Sequence, residues 1–136
     1  MRNAHIWTLV GLLALAVVAG SLKAQQPAPK EKADLGKLRH VVLLKFKDDA
    51  PAAEVKKIEE AFRALPSRIP EVVDFEWGTN NSPENLADGF THCFLVTFND
   101  AKGREVYLPH PAHKEFVALL KPQLDKVLVI DYVAAD

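Results

Sequence analysis

The chain has 136 residues, 49% of them hydrophobic, 26% charged and 8% aromatic, with 17 basic against 18 acidic side chains. Those proportions fit one ordinary globular domain and exclude a disordered or fibrous chain. A net charge of −1 without a basic stripe argues against a nucleic-acid partner.

The opening "MRNAHIWTLVGLLALAVVAGSLKAQQ" sets Arg2 ahead of an apolar run from Ile6 to Ala19, broken only by Thr8 and followed by small residues up to Ala24. This is the pattern of an export signal over residues 1–24, which implies a periplasmic or secreted protein, free of the membrane once the signal is cut. The alternative is a retained anchor, because the run extended to Leu22 approaches the roughly 18 residues that span a bilayer. Cleavage removes Arg2 and Lys23 and no acid, so 15 basic and 18 acidic side chains remain, a net −3. Cys93 is the only cysteine, so an exported chain must be held by its core rather than by an internal disulfide. Its place among strand residues suggests a small buried hydrophobe.

Residues 25–37, "QQPAPKEKADLGK", have almost nothing to bury and predict a flexible linker. The domain is expected over residues 38–136. "RHVVLLKFK" predicts a strand apolar on both faces. Residues 49–70 predict a helix with Asp49 as N-cap, Pro51 in the first turn, Val55, Ile58, Phe62 and Leu65 on one stripe, and Pro66 and Pro70 as the stop. "EVVDFEWG", with Val73, Phe75 and Trp77 alternating with acids, and "FTHCFLVTFND" predict two further strands. The turn-rich "TNNSPENLADG" between them has the length of loops found at binding mouths. A second helical region covers about Asp100 to Leu120, and "KVLVIDYV" closes the domain as a strand.

The order β-α-β-β-α-β predicts an α+β, ferredoxin-like fold: a four-stranded antiparallel sheet with its helices on one face. The strands are apolar on both faces, so the uncovered face calls for a second copy of the chain. A homodimer sharing a barrel-like interior is the expectation.

Chemistry concentrates in "YLPHPAHKEF". On one continuous helix Tyr107 and His113 would lie about 240° apart. Pro111, however, pushes His110 out of the helical region, and a new helix starts with Pro111 at its first position. His113, Phe116, Val117 and Leu120 then share one stripe, which turns His113 inward. Burial and the positive end of the helix dipole both favour a neutral imidazole, able to accept a proton. Asp131, the lone acid of the last strand, is the expected partner that orients it. Tyr107 is the expected donor to an oxygen that gains charge during reaction. His40 shares parity with Val42, Leu44 and Phe46, and His92 with Phe94, Val96 and Phe98. If both rows face the helices, they line a pocket capped by Tyr107 and His113. The alternative for each histidine is a hydrogen-bonded core group without chemistry. A zinc site drawing on His110, His113, His40 and His92 is a weaker option, since H-x-x-H alone lacks a well-spaced acid.

"RHVVLLKFK", "GFTHCFLVTF", "YLPHPAHKEF" and "VLVIDYV" together resemble the stress-responsive dimeric α+β barrel family, known as Dabb. The resemblance covers nearly all of residues 38–133 and implies a ferredoxin-like protomer that pairs through its sheet. It further implies the site pattern of the family's cyclase-type members, which close a linear polyketide by aldol condensation without a cofactor. In that pattern Tyr107 and His113 act on substrate, His40 and His92 take the places of two strand histidines, and Asp131 takes that of an acid beside the catalytic histidine. Phe94 and Val117 are bulkier than their counterparts, which argues against a long acyl tail.

The expected protein is therefore an exported, stress-related Dabb-domain homodimer. It needs no metal or cofactor, and it binds a small apolar molecule against His40, Val42, Leu44, His92, Phe94, Val96, Phe116 and Val117. Tyr107, His113 and Asp131 would perform lyase- or cyclase-like acid-base chemistry. The alternative is a stable dimer or oligomer with a protective, non-enzymatic role. Cofactor-free oxygen chemistry is suggested by fold analogy alone.

Overall fold

A computed structural model describes residues 34–135. The expected export signal, and residues 25–33 of the expected linker, lie outside the described residues. Asp34–Lys37, assigned to the linker by composition, are tied down: Gly36 N donates to the Ala134 carbonyl at 2.9 Å, and Ala134 N to that of Lys37 at 3.0 Å.

The elements follow the expected order. They are β1 (Leu38–Phe46), α1 (Ala52–Arg68), β2 (Val72–Thr79), β3 (His92–Phe98), α2 (Ala101–Tyr107), α3 (Pro111–Leu120) and β4 (Leu124–Val133), with a 3-10 turn at Lys121–Gln123. The strands lie side by side as β2-β3-β1-β4 and every pairing is antiparallel, the ferredoxin-like sheet.

Alternation decides what each strand buries. Leu38, His40, Val42, Leu44 and Phe46 of β1 and His92, Phe94, Val96 and Phe98 of β3 all face the helices and are buried. Phe62 of α1 joins the layers, with its ring centroid 4.2 Å from Phe94 and 4.5 Å from Phe116. Replacing it by alanine would cost about 3–5 kcal/mol.

Three local expectations are corrected. Pro51, not Asp49, is the N-cap of α1, and the helix continues through Pro66 to Arg68. A proline this close to the C-terminus removes only one late helical hydrogen bond. In β2, Val72 pairs with Phe98 and Asp74 with the adjacent Thr97, so Val73 is a bulge residue. The bulge switches the parity, turning Val72, Phe75 and Trp77 inward and leaving Val73 39% exposed. Cys93, expected to be buried, is exposed, because it alternates with His92 and Phe94 and so belongs to the face without helices.

That second face carries the half-buried Val41 and Leu43 of β1 and Leu95 of β3 beside the exposed Leu128, Ile130 and Tyr132 of β4. β4 is exposed along nearly its whole length.

Candidate active site

The second helical region is broken where the prolines require it. α2 is capped by Asp100, whose carboxylate accepts from Gly103 N at 3.1 Å. After Leu108 and Pro109 the chain is extended at His110 (φ −59°, ψ 136°), and α3 begins at Pro111. The His110 ring caps α3, with Nδ1 accepting from Ala112 N at 3.1 Å.

The break folds Tyr107 and His113 together, with ring centroids 4.4 Å apart. Nδ1 of His113 lies 2.9 Å from the Leu108 carbonyl. A carbonyl only accepts, so Nδ1 carries the proton and Nε2 keeps its lone pair. Burial lowers the His113 pKa below the ordinary 6.5, helped by the nearby His40 and His110 and opposed by the Leu108 hydrogen bond. The ring is neutral at pH 7.

Tyr107 has no exposed surface, and its hydroxyl has no hydrogen-bond partner among the described residues. Burial raises the phenol's pKa well above the ordinary 10. It therefore stays protonated, a donor with nothing to donate to. A buried hydroxyl in that state costs about 1–3 kcal/mol, and a water, a strained packing or a catalytic role accounts for such groups.

Asp131 does not orient His113. One of its oxygens accepts from His40 Nδ1 at 2.6 Å, and the other from Arg104 at 2.6 Å. The cause is register: β1 and β4 pair His40 directly with Asp131. His40 in turn lies edge-on to Tyr107, at 5.9 Å between centroids. Arg104, one helical turn before Tyr107, was not among the expected site residues. The sequence signal was only its position three residues upstream of Tyr107, and no periodicity reveals that its side chain reaches Asp131 of β4.

His92 stands apart. It pairs with no part of this cluster, because Leu44 is its strand neighbour whereas Val96 is that of His40. The two histidines are four residues apart along β1, about 13 Å. His92 Nε2 donates to Glu59 at 3.0 Å, and Nδ1 lies 2.8 Å from the Thr91 hydroxyl. Both nitrogens are thus occupied, and the four histidines of the zinc alternative do not converge.

The expected pocket between the two histidine rows is a packed core. Val42, Leu44, Phe94, Val96 and Phe116 are 7, 0, 0, 1 and 5% exposed and belong to one buried hydrophobic cluster. Ring stacking through Phe62 fills the volume that parity alone could not show to be filled. Open space lies outside it. A groove of about 370 Å3, bordered by Leu108, His113, Lys114, Val117, Ala118 and Lys121, lies beside the imidazole. Val117 borders this outer groove rather than the space between the two histidine rows. A larger depression of about 530 Å3 is bordered by Trp77, Phe90, His92, Cys93 and Leu95 where the turn-rich loop meets the sheet.

The family model for the stress responsive A/B barrel domain matches residues 38–134. The chain belongs to that family. A stress-response A/B barrel domain-containing protein of Arabidopsis thaliana, HS1, is 39% identical over 97 residues, covering 71% of this chain and 89% of the relative. Olivetolic acid cyclase of Cannabis sativa is 32% identical over 95 residues, covering 70% and 94%. Among solved structures, hydroxynitrile lyase from Passiflora edulis superimposes with a TM-score of 0.70 at 27% identity, covering 74% of this chain and 94% of that one. A dimeric protein of unknown function with a ferredoxin-like fold, from Bacteroides fragilis, gives a TM-score of 0.60 at 25% identity, covering 72% and 96%. Proteins similar to this chain thus include two that are named as enzymes.

Proposed function

We propose that this A/B barrel protein binds a small, mostly apolar carbonyl compound beside His113 and performs acid-base chemistry on it without a cofactor. His113 Nε2 takes the proton, and the Tyr107 hydroxyl donates to the oxygen on which charge develops. The observation that carries this reading is the buried Tyr107 hydroxyl without a partner, packed against a neutral imidazole whose other nitrogen is committed to Leu108. His113 packs against the Tyr107 ring, with centroids 4.4 Å apart, so a substrate oxygen reaches the phenol through a small shift of the imidazole that keeps its Leu108 hydrogen bond. His40, held by Asp131, whose second oxygen accepts from Arg104, fixes the inner wall of the site. Likeness to olivetolic acid cyclase and to hydroxynitrile lyase supports acid-base chemistry on oxygenated carbon compounds.

The working form is a homodimer formed by the helix-free sheet face, where Val41, Leu43, Leu95, Leu128, Ile130 and Tyr132 make one apolar surface. A patch of this kind is what a two-fold partner covers, and the dimeric Bacteroides fragilis protein supports the same reading. The protein acts after export, in the periplasm or outside the cell, with residues 1–24 removed.

Deuterium exchange next to the carbonyl of 2-tetralone, followed by proton NMR in heavy water, tests the chemistry without knowledge of the natural substrate. Wild type should exchange faster than buffer, and His113→Ala should fall to the buffer rate. Exchange no faster than buffer for wild type would overturn this reading and favour a purely structural dimer.

A further inference from the structure

The groove beside His113 has a charge pattern that the proposed chemistry does not use. Its floor is apolar, made by Leu108, Val117 and Ala118, and its charged members are Lys114 and Lys121. Neither ammonium has an ion-pair or hydrogen-bond partner among the described residues. The acid on the same helix, Glu115, is drawn away from the groove by Arg68 of α1, at 2.6 Å. A chain of net charge −1 therefore presents a cationic, acid-free rim next to its candidate base.

We infer that the ligand is an anionic amphiphile: a carbonyl compound with an apolar body and a single carboxylate, which Lys114 and Lys121 recognise. Lys114 lies in α3 and Lys121 seven residues on, in the 3-10 turn that follows it; both border the groove, and their long flexible stems let the two charges act on one carboxylate. Each offers a point charge and no arginine fork approaches, which suits a carboxylate rather than a phosphate that asks for several converging donors. A groove of about 370 Å3 matches the lower end of the range for small-molecule sites. The groove lies on the helix-bearing side, away from the sheet face assigned to the second protomer, so dimer formation leaves it open.

This inference rests on the proposed carbonyl chemistry for the location of the site, and binding separates the two. The probe pair is 5-oxo-5-phenylpentanoate and its methyl ester, titrated by isothermal calorimetry at pH 7 into the dimer of the chain that begins at Gln25. The carboxylate should bind at least about threefold tighter than the ester, the gain expected from partly exposed charge pairs. The advantage should shrink at high salt and disappear in the Lys114→Gln/Lys121→Gln variant. Equal affinity of the two probes, binding of neither, or an advantage that survives in the variant each overturns the inference. A carboxylate preference without deuterium exchange would instead overturn the proposed chemistry and leave the anion site standing.

Discussion

Asp131 of β4 accepts a 2.6 Å hydrogen bond from His40 of β1, and its second oxygen receives Arg104 from α2. One carboxylate thus joins two strands to the helix that carries Tyr107. Its partner is the strand histidine, not the histidine of the helix start.

Asp131→Asn should therefore act on stability. It keeps the side-chain volume but leaves Arg104 without its counter-charge and removes two charge-assisted hydrogen bonds. Thermal or urea unfolding should show a loss of about 1–3 kcal/mol. A variant as stable as wild type would show that the triad contributes nothing to the fold.

Tyr107→Phe should move the two properties of the protein in opposite directions. The variant deletes a buried hydroxyl that has no partner, so stability should be unchanged or higher by about 1 kcal/mol. Ketone exchange should fall by at least about tenfold, since the donor to the developing oxyanion is gone. Loss of both stability and exchange would show that the hydroxyl has a structural partner.

The pH dependence follows from two shifts of opposite sign. His113 titrates below 6.5 in the folded protein because burial disfavours its charged form. The unfolded chain then binds more protons in that range, so this contribution to stability is present above pH 6.5 and is lost as pH falls below it. Tyr107 titrates above its ordinary 10 because it is buried. Its contribution is complete below pH 10 and is lost as pH rises beyond that. Exchange should accordingly show an acid limb below pH 6.5 and no tyrosine limb below pH 10, as read from a pH–rate profile. A rate that falls between pH 7 and pH 9 would contradict the assignment of Tyr107 as a protonated donor.

Much of this arrangement was legible in the sequence, and the remainder failed for identifiable reasons. Period-two alternation placed His40, His92, Phe94 and Val96 on the helix side, and Pro111 located the break that brings His113 back to Tyr107. What alternation cannot supply is register. The pairing of His40 with Asp131, and the four-residue offset that carries His92 away to Glu59, are relations between distant strands. Nor can it supply volume, because Phe62 fills the space where a pocket was expected. The bulge at Val73 shifts the parity of β2 locally, and at Cys93 alternation with the inward His92 outweighs the burial that its residue type suggests.

The sheet face makes a separate prediction. Ile130→Lys puts a charge at the centre of the apolar surface, so analytical ultracentrifugation should show monomers where the wild type shows dimers. An unchanged dimer would move the interface elsewhere.

Export is checked by intact-mass spectrometry of the protein recovered from its own cells. The mass should correspond to a chain beginning at Gln25. A mass that includes residues 1–24 would favour the anchor.

The proposed chemistry depends on the state of one imidazole, and nitrogen-15 NMR of histidine-labelled protein at pH 7 reads it directly. His113 should appear neutral, with its proton on Nδ1 and an unprotonated Nε2, and the Nε2 resonance should move when 5-oxo-5-phenylpentanoate is added. A charged His113, or one with its proton on Nε2 and insensitive to the ligand, would contradict it.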